Sequence, residues 1–266
     1  MKPNLIIGNT SQLSNYFDDE SYIKISSRDI DYDKILSKDY NKIFLLFAEQ
    51  RTFIDNNEDC FYKTNVEYTL EVINKIINHC NEIIVYSTAE LWNKYDGPIS
   101  LDLPYDYNET PYIKSKHILC DIINDTPRLR EKIKIIYPFN FNSSYRKEGF
   151  LFFKIFNSII SNEKYKIGNI NFKRDITHPK IIVNESINSY SDKIVGMGEL
   201  INVKDFVIDI FDKLQLNVYD YLDFTTTDFL SNTRNEYHSE IKYSSYDELL
   251  NLTIEDIKKQ KNDKTC

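Results

Sequence analysis

Glycine is scarce in this sequence, 6 in 266 residues, and there are only 4 cysteines and 4 histidines. With so few glycines, any glycine-rich turn can be present only in a reduced form. Cys60, Cys80, Cys120 and Cys266 lack the paired spacing of a metal site and are too sparse for a disulfide framework, so reduced, mostly buried thiols are expected. His117 and His178 add no metal set. No apolar run is long enough to span a membrane, and Met1-Lys2-Pro3-Asn4 does not lead into a signal-peptide core; a cytoplasmic protein with no membrane partner is expected. An excess of basic charge is missing too. The formal net charge of -8 argues against wholesale nucleic-acid binding, and any anionic ligand has to meet local arginines.

What is there is an alternation of short apolar runs and helical periods in a chain long enough to bury a sizeable core. Asn4 to Gly8 reads as a strand ending in a turn, with Leu13, Tyr16 and Phe17 following at helical spacing. Tyr22 to Ser26 and Lys42 to Ala48 read as strands. A helix carrying Val66, Leu70, Val72, Ile73 and Ile76 leads into strand Glu82 to Tyr86. Such alternation predicts an α/β fold, a Rossmann-like parallel sheet with helices on both faces. Further strands are expected at Lys132 to Tyr137 and Tyr165 to Asn169, and a helix at Phe150 to Ile160. From about residue 180 the alternation weakens. Asn202 is placed to cap a helix with Val203, Phe206, Val207, Ile210, Phe211 and Leu214 on its apolar face. A last helix, roughly Tyr246 to Gln260, is expected to end in a frayed tail. The division expected is a nucleotide-binding domain over residues 1–165 and a small, mainly substrate-binding portion over 166–266.

Tyr112 and Lys116 carry the chemistry. On a helix, positions i and i+4 share a face, so an ammonium there lowers the pKa of a phenol toward neutrality. Such a tyrosine exchanges a proton with an alcohol while a nicotinamide ring exchanges the hydride. Ser87 and Thr88, at the end of the strand that closes with Tyr86, are placed to hold the reacting oxygen, and Glu90 adds a carboxyl group beside them. The alternative is a solvated helix face in a chain with 20 tyrosines.

Gly8-Asn9-Thr10-Ser11-Gln12-Leu13-Ser14 is the candidate cofactor turn, with serines where a dinucleotide fold places its second and third glycines. Gly8, Thr10, Ser11, Gln12 and Leu13, with Arg28, Ala48 and Lys116, are the candidate cofactor residues. Arg28 follows the second strand where an acidic residue favours NAD; an arginine there suits a 2′-phosphate and favours NADP, with NAD possible and a plain surface arginine the alternative.

In order along the chain, these motifs resemble the extended short-chain dehydrogenases of the NAD-dependent epimerase/dehydratase family, most of all the GDP-mannose 4,6-dehydratases and related 4-keto reductases. Ser87-Thr88-Ala89-Glu90-Leu91-Trp92-Asn93 is similar to the family's Ser-Thr-x-Glu-Leu-Tyr-Gly, and Thr110-Pro111-Tyr112 through Lys116 to its Ser-Pro-Tyr-x-x-x-Lys. Asn65 to Leu70 resembles Asn-x-x-Gly-Thr, with Tyr68 where the family has a small residue. Phe139 to Lys147, Gly168 to Asp175 and Val203 to Phe206 resemble later family segments. The turn Gln12-Leu13-Ser14 and the compact segment Asp29 to Asp33 look more like dTDP-4-dehydrorhamnose reductases.

The resemblance implies roles. Tyr112 would be the base at hexose C4, Lys116 would bind the nicotinamide ribose, and Thr88 would bind the C4 oxygen. Glu90 would move the protons of a 4,6-dehydration of a GDP-hexose, or would only close a strand-end loop in a 4-keto reductase or epimerase. Arg146, Arg174 and Arg234 would grip the nucleotide diphosphate and Asn140 the sugar or phosphate. A nucleotide-activated sugar is the implied partner and a homo-oligomer the implied assembly. A noncatalytic nucleotide-binding relative is the remaining reading.

Overall fold

The computed structural model describes residues 2–52, 58–105, 110–224 and 235–265, without the side chains of 264 and 265. Two units are drawn from interleaved segments. Unit 1 is Met1–Trp92, Leu101–Pro138 and Val183–Ile194; unit 2 is Asn93–Ser100, Phe139–Ile182 and Val195–Cys266.

The main sheet has six strands: β1 (Asn4–Ile7), β2 (Tyr22–Ile25), β3 (Tyr40–Leu45), β4 (Cys80–Tyr86), β5 (Ile133–Pro138) and β6 (Lys193–Val195). Their order is β6-β5-β4-β3-β1-β2. β1 pairs in parallel with β2 and β3, and β4 with β3 and β5. Runs such as Ile83-Ile84-Val85 are buried, which is what a parallel sheet covered on both faces requires. The strand order reverses between β1 and β3, and ligands of open α/β sheets bind at such a switch point. Among the described residues no strand of this sheet lies outside β2. The segment between β2 and β3 instead forms a short helix, Tyr32–Leu36, whose N-terminus is capped by Asp31 accepting from Lys34 N at 3.0 Å.

After β1 the expected helix is only a 3₁₀ turn, Gln12–Tyr16. The Ser14 hydroxyl bonds back to the carbonyls of Asn9 (2.6 Å) and Ser11 (2.7 Å), offering the backbone a local alternative to the helical ladder. Lys24 Nζ closes the other end on the carbonyls of Ser14 (2.7 Å) and Phe17 (2.9 Å). Phe17 then turns into the core, edge-on to Tyr22 and Phe44. The crossover from β3 to β4 runs as α-helix Glu58–Tyr62, a π-helical stretch Lys63–Tyr68 and α-helix Thr69–Ile76. Such π stretches are frequent at functional sites.

Unit 2 has its own apolar core, with Phe152, Ile155 and Phe156 of helix Leu151–Ser161, Phe206 and Ile210 of helix Val203–Lys213, and Ile254 and Ile257 of helix Tyr246–Thr265. Asn202 caps its helix as its position predicts, accepting from Lys204 N and Asp205 N. Where the alternation weakens in the sequence, the structure has helix Pro179–Ile187 and β6. The terminal helix continues through residues expected to fray.

Candidate functional site

The helix Pro111–Asp125 starts where its sequence says it should. Thr110 Oγ1 accepts from Ile113 N at 3.3 Å, and Pro111 occupies the first turn, where no N–H partner is needed. Tyr112 and Lys116 fall one turn apart. Lys116 is only 3% exposed, and its Nζ donates to the carbonyl of Tyr86, the last residue of β4, at 2.9 Å. Burial pushes this ammonium down to about 8, with Cys120 acting weakly in the other direction. Tyr112 is half-buried and stands edge-on to Phe61, with ring centroids 6.2 Å apart.

The end of β4 supplies the hydroxyls. Ser87 and Thr88 are both buried. The Cys120 thiol lies 3.2 Å from Ser87 Oγ, joining this strand end to the Tyr112 helix. Thr88 Oγ1 accepts from Glu90 N at 3.2 Å and opens the 3₁₀ turn Ala89–Trp92, on which Glu90 is half-buried. Ser87, Thr88, Glu90, Tyr112 and Lys116 therefore come from two elements pinned together by side-chain contacts.

Asn65, quoted above only within a family motif, ties this site together. It is buried in the π-helical stretch, receives Glu49 N on Oδ1 at 2.8 Å, and donates through Nδ2 to Glu49 O at 3.1 Å and Ser115 Oγ at 3.0 Å. It ties the segment after β3 to the Tyr112 helix. Glu49 was also unmarked in the sequence. Its carboxylate pairs with Arg51 Nη2 at 2.6 Å, and that hydrogen bonding holds it below the usual carboxylate range.

At the candidate cofactor turn, Gly8 has φ +113°, and a Cβ there would approach the Leu46 carbonyl carbon to 3.0 Å. Glycine is required by both conformation and packing. The N–H groups of Gly8 and Asn9 both donate to Ile25 O, at 2.9 and 3.0 Å. Thr10 is exposed, Ser11 and Gln12 are partly buried and Leu13 is buried. Gln12 Oε1 is a buried acceptor with no donor among the described residues. Arg28 is exposed beyond β2, its backbone N–H on Ser26 Oγ at 3.1 Å, and Ala48 is half-buried after β3. Tyr68, in the π-helical stretch, donates its hydroxyl to Ser27 O.

Unit 2 brings Asn140, Arg146 and Arg174 to the lining of one cavity of about 330 Å³. The Arg146 guanidinium lies 3.9 Å from the Phe150 ring centroid and 5.3 Å from that of Phe141; that of Arg174 lies 4.8 Å from Phe172. Arg174 Nη1 also donates to Lys173 O at 2.6 Å. The rings hold planar cations by their faces. Arg234 lies outside the described residues. His117 and His178 each sit 3.3 Å from a carboxylate, of Asp121 and Asp256. Among the described residues no helix is long and apolar enough to cross a membrane.

No protein-family model and no curated protein matches the sequence. Solved structures do match. The UDP-N-acetylglucosamine 4-epimerase of Methanobrevibacter ruminantium M1, solved with UDP-N-acetylmuramic acid, superposes with a TM-score of 0.76 at 15% identity over 97% of each chain. RMD from Pseudomonas aeruginosa, solved with NADPH, gives 0.74 at 12% identity over 97% of this chain and 99% of that one. The chain has the fold of the extended short-chain dehydrogenases. A third member of that fold, the UDP-glucuronic acid 4-epimerase of Bacillus cereus solved with NAD, gives 0.72 at 12% identity, again over 97% and 99%. At these identities the extended short-chain dehydrogenase fold is common ground, and the chemistry of this chain rests on its own residues.

Proposed function

We propose that this protein is an NAD(P)-dependent enzyme acting at C4 of a nucleotide-activated hexose, with Tyr112 as the proton-exchanging group. The observation that carries the reading is Lys116, an ammonium buried against the end of β4 one helical turn from Tyr112. Burying a cation is costly, and this position gives the charge something to act on. An ammonium has three donors; Lys116 places one on Tyr86 O and has others for the Tyr112 phenol and a ribose hydroxyl. Gln12 Oε1, in the turn after β1 and with no donor among the described residues, suits a ligand that brings N–H or O–H groups. These residues fit the nicotinamide half of NAD(P), which when bound supplies the hydride acceptor.

Tyr112 takes the proton from the C4 hydroxyl as it is oxidised, and Lys116 favours the phenolate. Thr88 holds the C4 oxygen, and Ser87, backed by Cys120, supports it. Arg146 and Arg174 grip the diphosphate as two guanidinium forks beside Asn140. The exposed Arg28 favours NADP. Glu90, held on the turn that Thr88 opens, favours 4,6-dehydration of a GDP-hexose, because hydride transfer alone cannot expel water from an adjacent carbon. The second reading, a 4-epimerase or 4-keto reductase on the same Tyr–Lys pair, is favoured by neighbours that are named 4-epimerases. A homo-oligomer goes with either.

Incubation with GDP-mannose and NADP distinguishes the two. Dehydration gives a base-labile 4-keto chromophore that is lost in Glu90→Gln. NADPH consumption seen only with a 4-keto sugar nucleotide overturns dehydration in favour of reduction.

A further inference from the structure

The switch-point crevice of unit 1 is crossed by a side chain. Ile7, Ile25 and Leu45 lie level at the ends of β1, β2 and β3, and β1 lies between the other two. Tyr68 belongs to the helical crossover after β3, while Ser27 stands two residues beyond β2. The Tyr68–Ser27 hydrogen bond therefore passes over the end of β1, where the Gly8 turn begins. The bond thus joins the segment after β2 to the crossover after β3, on either side of the β1 end.

The bond is well supported. The Phe47 ring, just after β3, lies 5.4 Å from the Tyr68 ring. Burial raises the Tyr68 phenol above its ordinary range. The short helix Tyr32–Leu36 follows β2, and Lys75 Nζ lies 4.1 Å over the Tyr32 ring. In dinucleotide folds the ribose of the adenosine half is read at the end of the second strand. That is the position of Ser27, whose carbonyl Tyr68 holds.

We propose that Tyr68 is a latch across the adenosine end of the cofactor crevice, so that NAD(P) enters only when the Tyr68–Ser27 bond opens and is exchanged between turnovers rather than retained. This rests on the nicotinamide reading above and adds how the cofactor is held. A ligand whose binding-competent state is a minor one loses apparent affinity by the population of that state. The loss falls on ligands that carry adenosine. Nicotinamide mononucleotide, which lacks it, escapes.

The test measures binding of NADPH and of reduced nicotinamide mononucleotide by calorimetry, to the wild-type chain, Tyr68→Ala and Tyr68→Phe, with circular dichroism confirming the fold. The expected result is NADPH bound at least about 10-fold more tightly by Tyr68→Ala, and about 2- to 5-fold more tightly by Tyr68→Phe, which loses the hydrogen bond and keeps the ring. The mononucleotide should bind all three alike. Equal or weaker NADPH binding by Tyr68→Ala overturns the latch, as does an equal gain for both ligands. If Tyr68→Ala does not fold, Tyr68→Phe decides alone, by a gain for NADPH and none for the mononucleotide. Failure of the wild-type chain to bind the mononucleotide counts separately, against the nicotinamide reading.

Discussion

Lys116 makes the protein less stable than it could be, and replacing it with methionine should show this. The methionine side chain is of similar length, uncharged, and suited to an apolar site. Burial takes the ammonium from 10.5 down to about 8, a penalty of roughly 3 kcal/mol at about 1.4 kcal/mol per pH decade. Against this, Lys116→Met leaves the Tyr86 carbonyl without the Nζ donor, at a cost of about 1 kcal/mol. The net gain at pH 7 is about 2 kcal/mol, or roughly 4–8 °C in Tm for a chain of this size. The pH dependence carries a sign. Between about 8 and 10.5 the unfolded chain binds a proton at Lys116 that the folded chain does not, so wild-type stability gains from this group as pH rises through that window. The advantage of Lys116→Met should therefore shrink toward zero by pH 10. Thermal unfolding followed by circular dichroism at pH 7 and pH 10 measures both effects, and activity should be lost at either pH. A variant less stable than wild type at pH 7, or a gap that widens with pH, refutes a buried ammonium at this position.

Two further outcomes concern unit 2. Arg146→Ala and Arg174→Ala should each weaken binding of a nucleoside diphosphate by about 10- to 100-fold, as expected when a charged hydrogen-bonding partner is removed, with unchanged Tm; calorimetry with GDP and UDP checks this, and unchanged affinity in both variants removes the cavity from substrate binding. Asp175 is buried and accepts from Met197 N (2.6 Å), Ser239 N (3.0 Å) and Gly198 N (3.1 Å). Asp175→Ala should cost roughly 3–6 kcal/mol by stranding those donors, and Asp175→Asn less, as urea unfolding would show. Burial raises this carboxyl to about 6 despite the three donors. The folded chain thus holds the proton that the unfolded chain loses above about 4, and wild-type stability from this group falls as pH rises from about 4 to 6. Asp175→Asn should flatten that slope.

Much of unit 1 was legible because single residues announced it. Thr110 and Pro111 mark the start of the Tyr112 helix, and Ile83-Ile84-Val85 reads as a buried strand; in unit 2, Asn202 caps its own helix. The 3₁₀ turn after β1 was not legible: Leu13, Tyr16 and Phe17 have helical spacing, but the hydroxyl of Ser14 within the turn and the Lys24 ammonium from β2 end the helix after one turn. β6 was hidden for a different reason. Only Ile194 and Val195 carry its apolar signal, between Asp192-Lys193 and the glycines Gly196 and Gly198. The motif order pointed to Asn140, Arg146 and Arg174, yet nothing in their spacing revealed the aromatic rings packed against the two guanidinium groups. Asn65 had a signal in its motif, whereas the bond from Tyr68 to a backbone carbonyl had none, since carbonyl acceptors are the same at every residue.

Single-turnover transfer of deuterium from C4 of a labelled GDP- or UDP-hexose to the bound cofactor tests the central claim most directly. Mass spectrometry of rapidly quenched samples should find the label transiently in NADPH or NADH with the wild-type chain, before dehydration returns it to C6 or epimerisation returns it to C4, and not with Tyr112→Phe, whose cofactor affinity should be nearly unchanged. Label found in the cofactor at no quench time with a folded wild-type chain saturated with cofactor and sugar nucleotide, or transferred equally well by Tyr112→Phe, would contradict it.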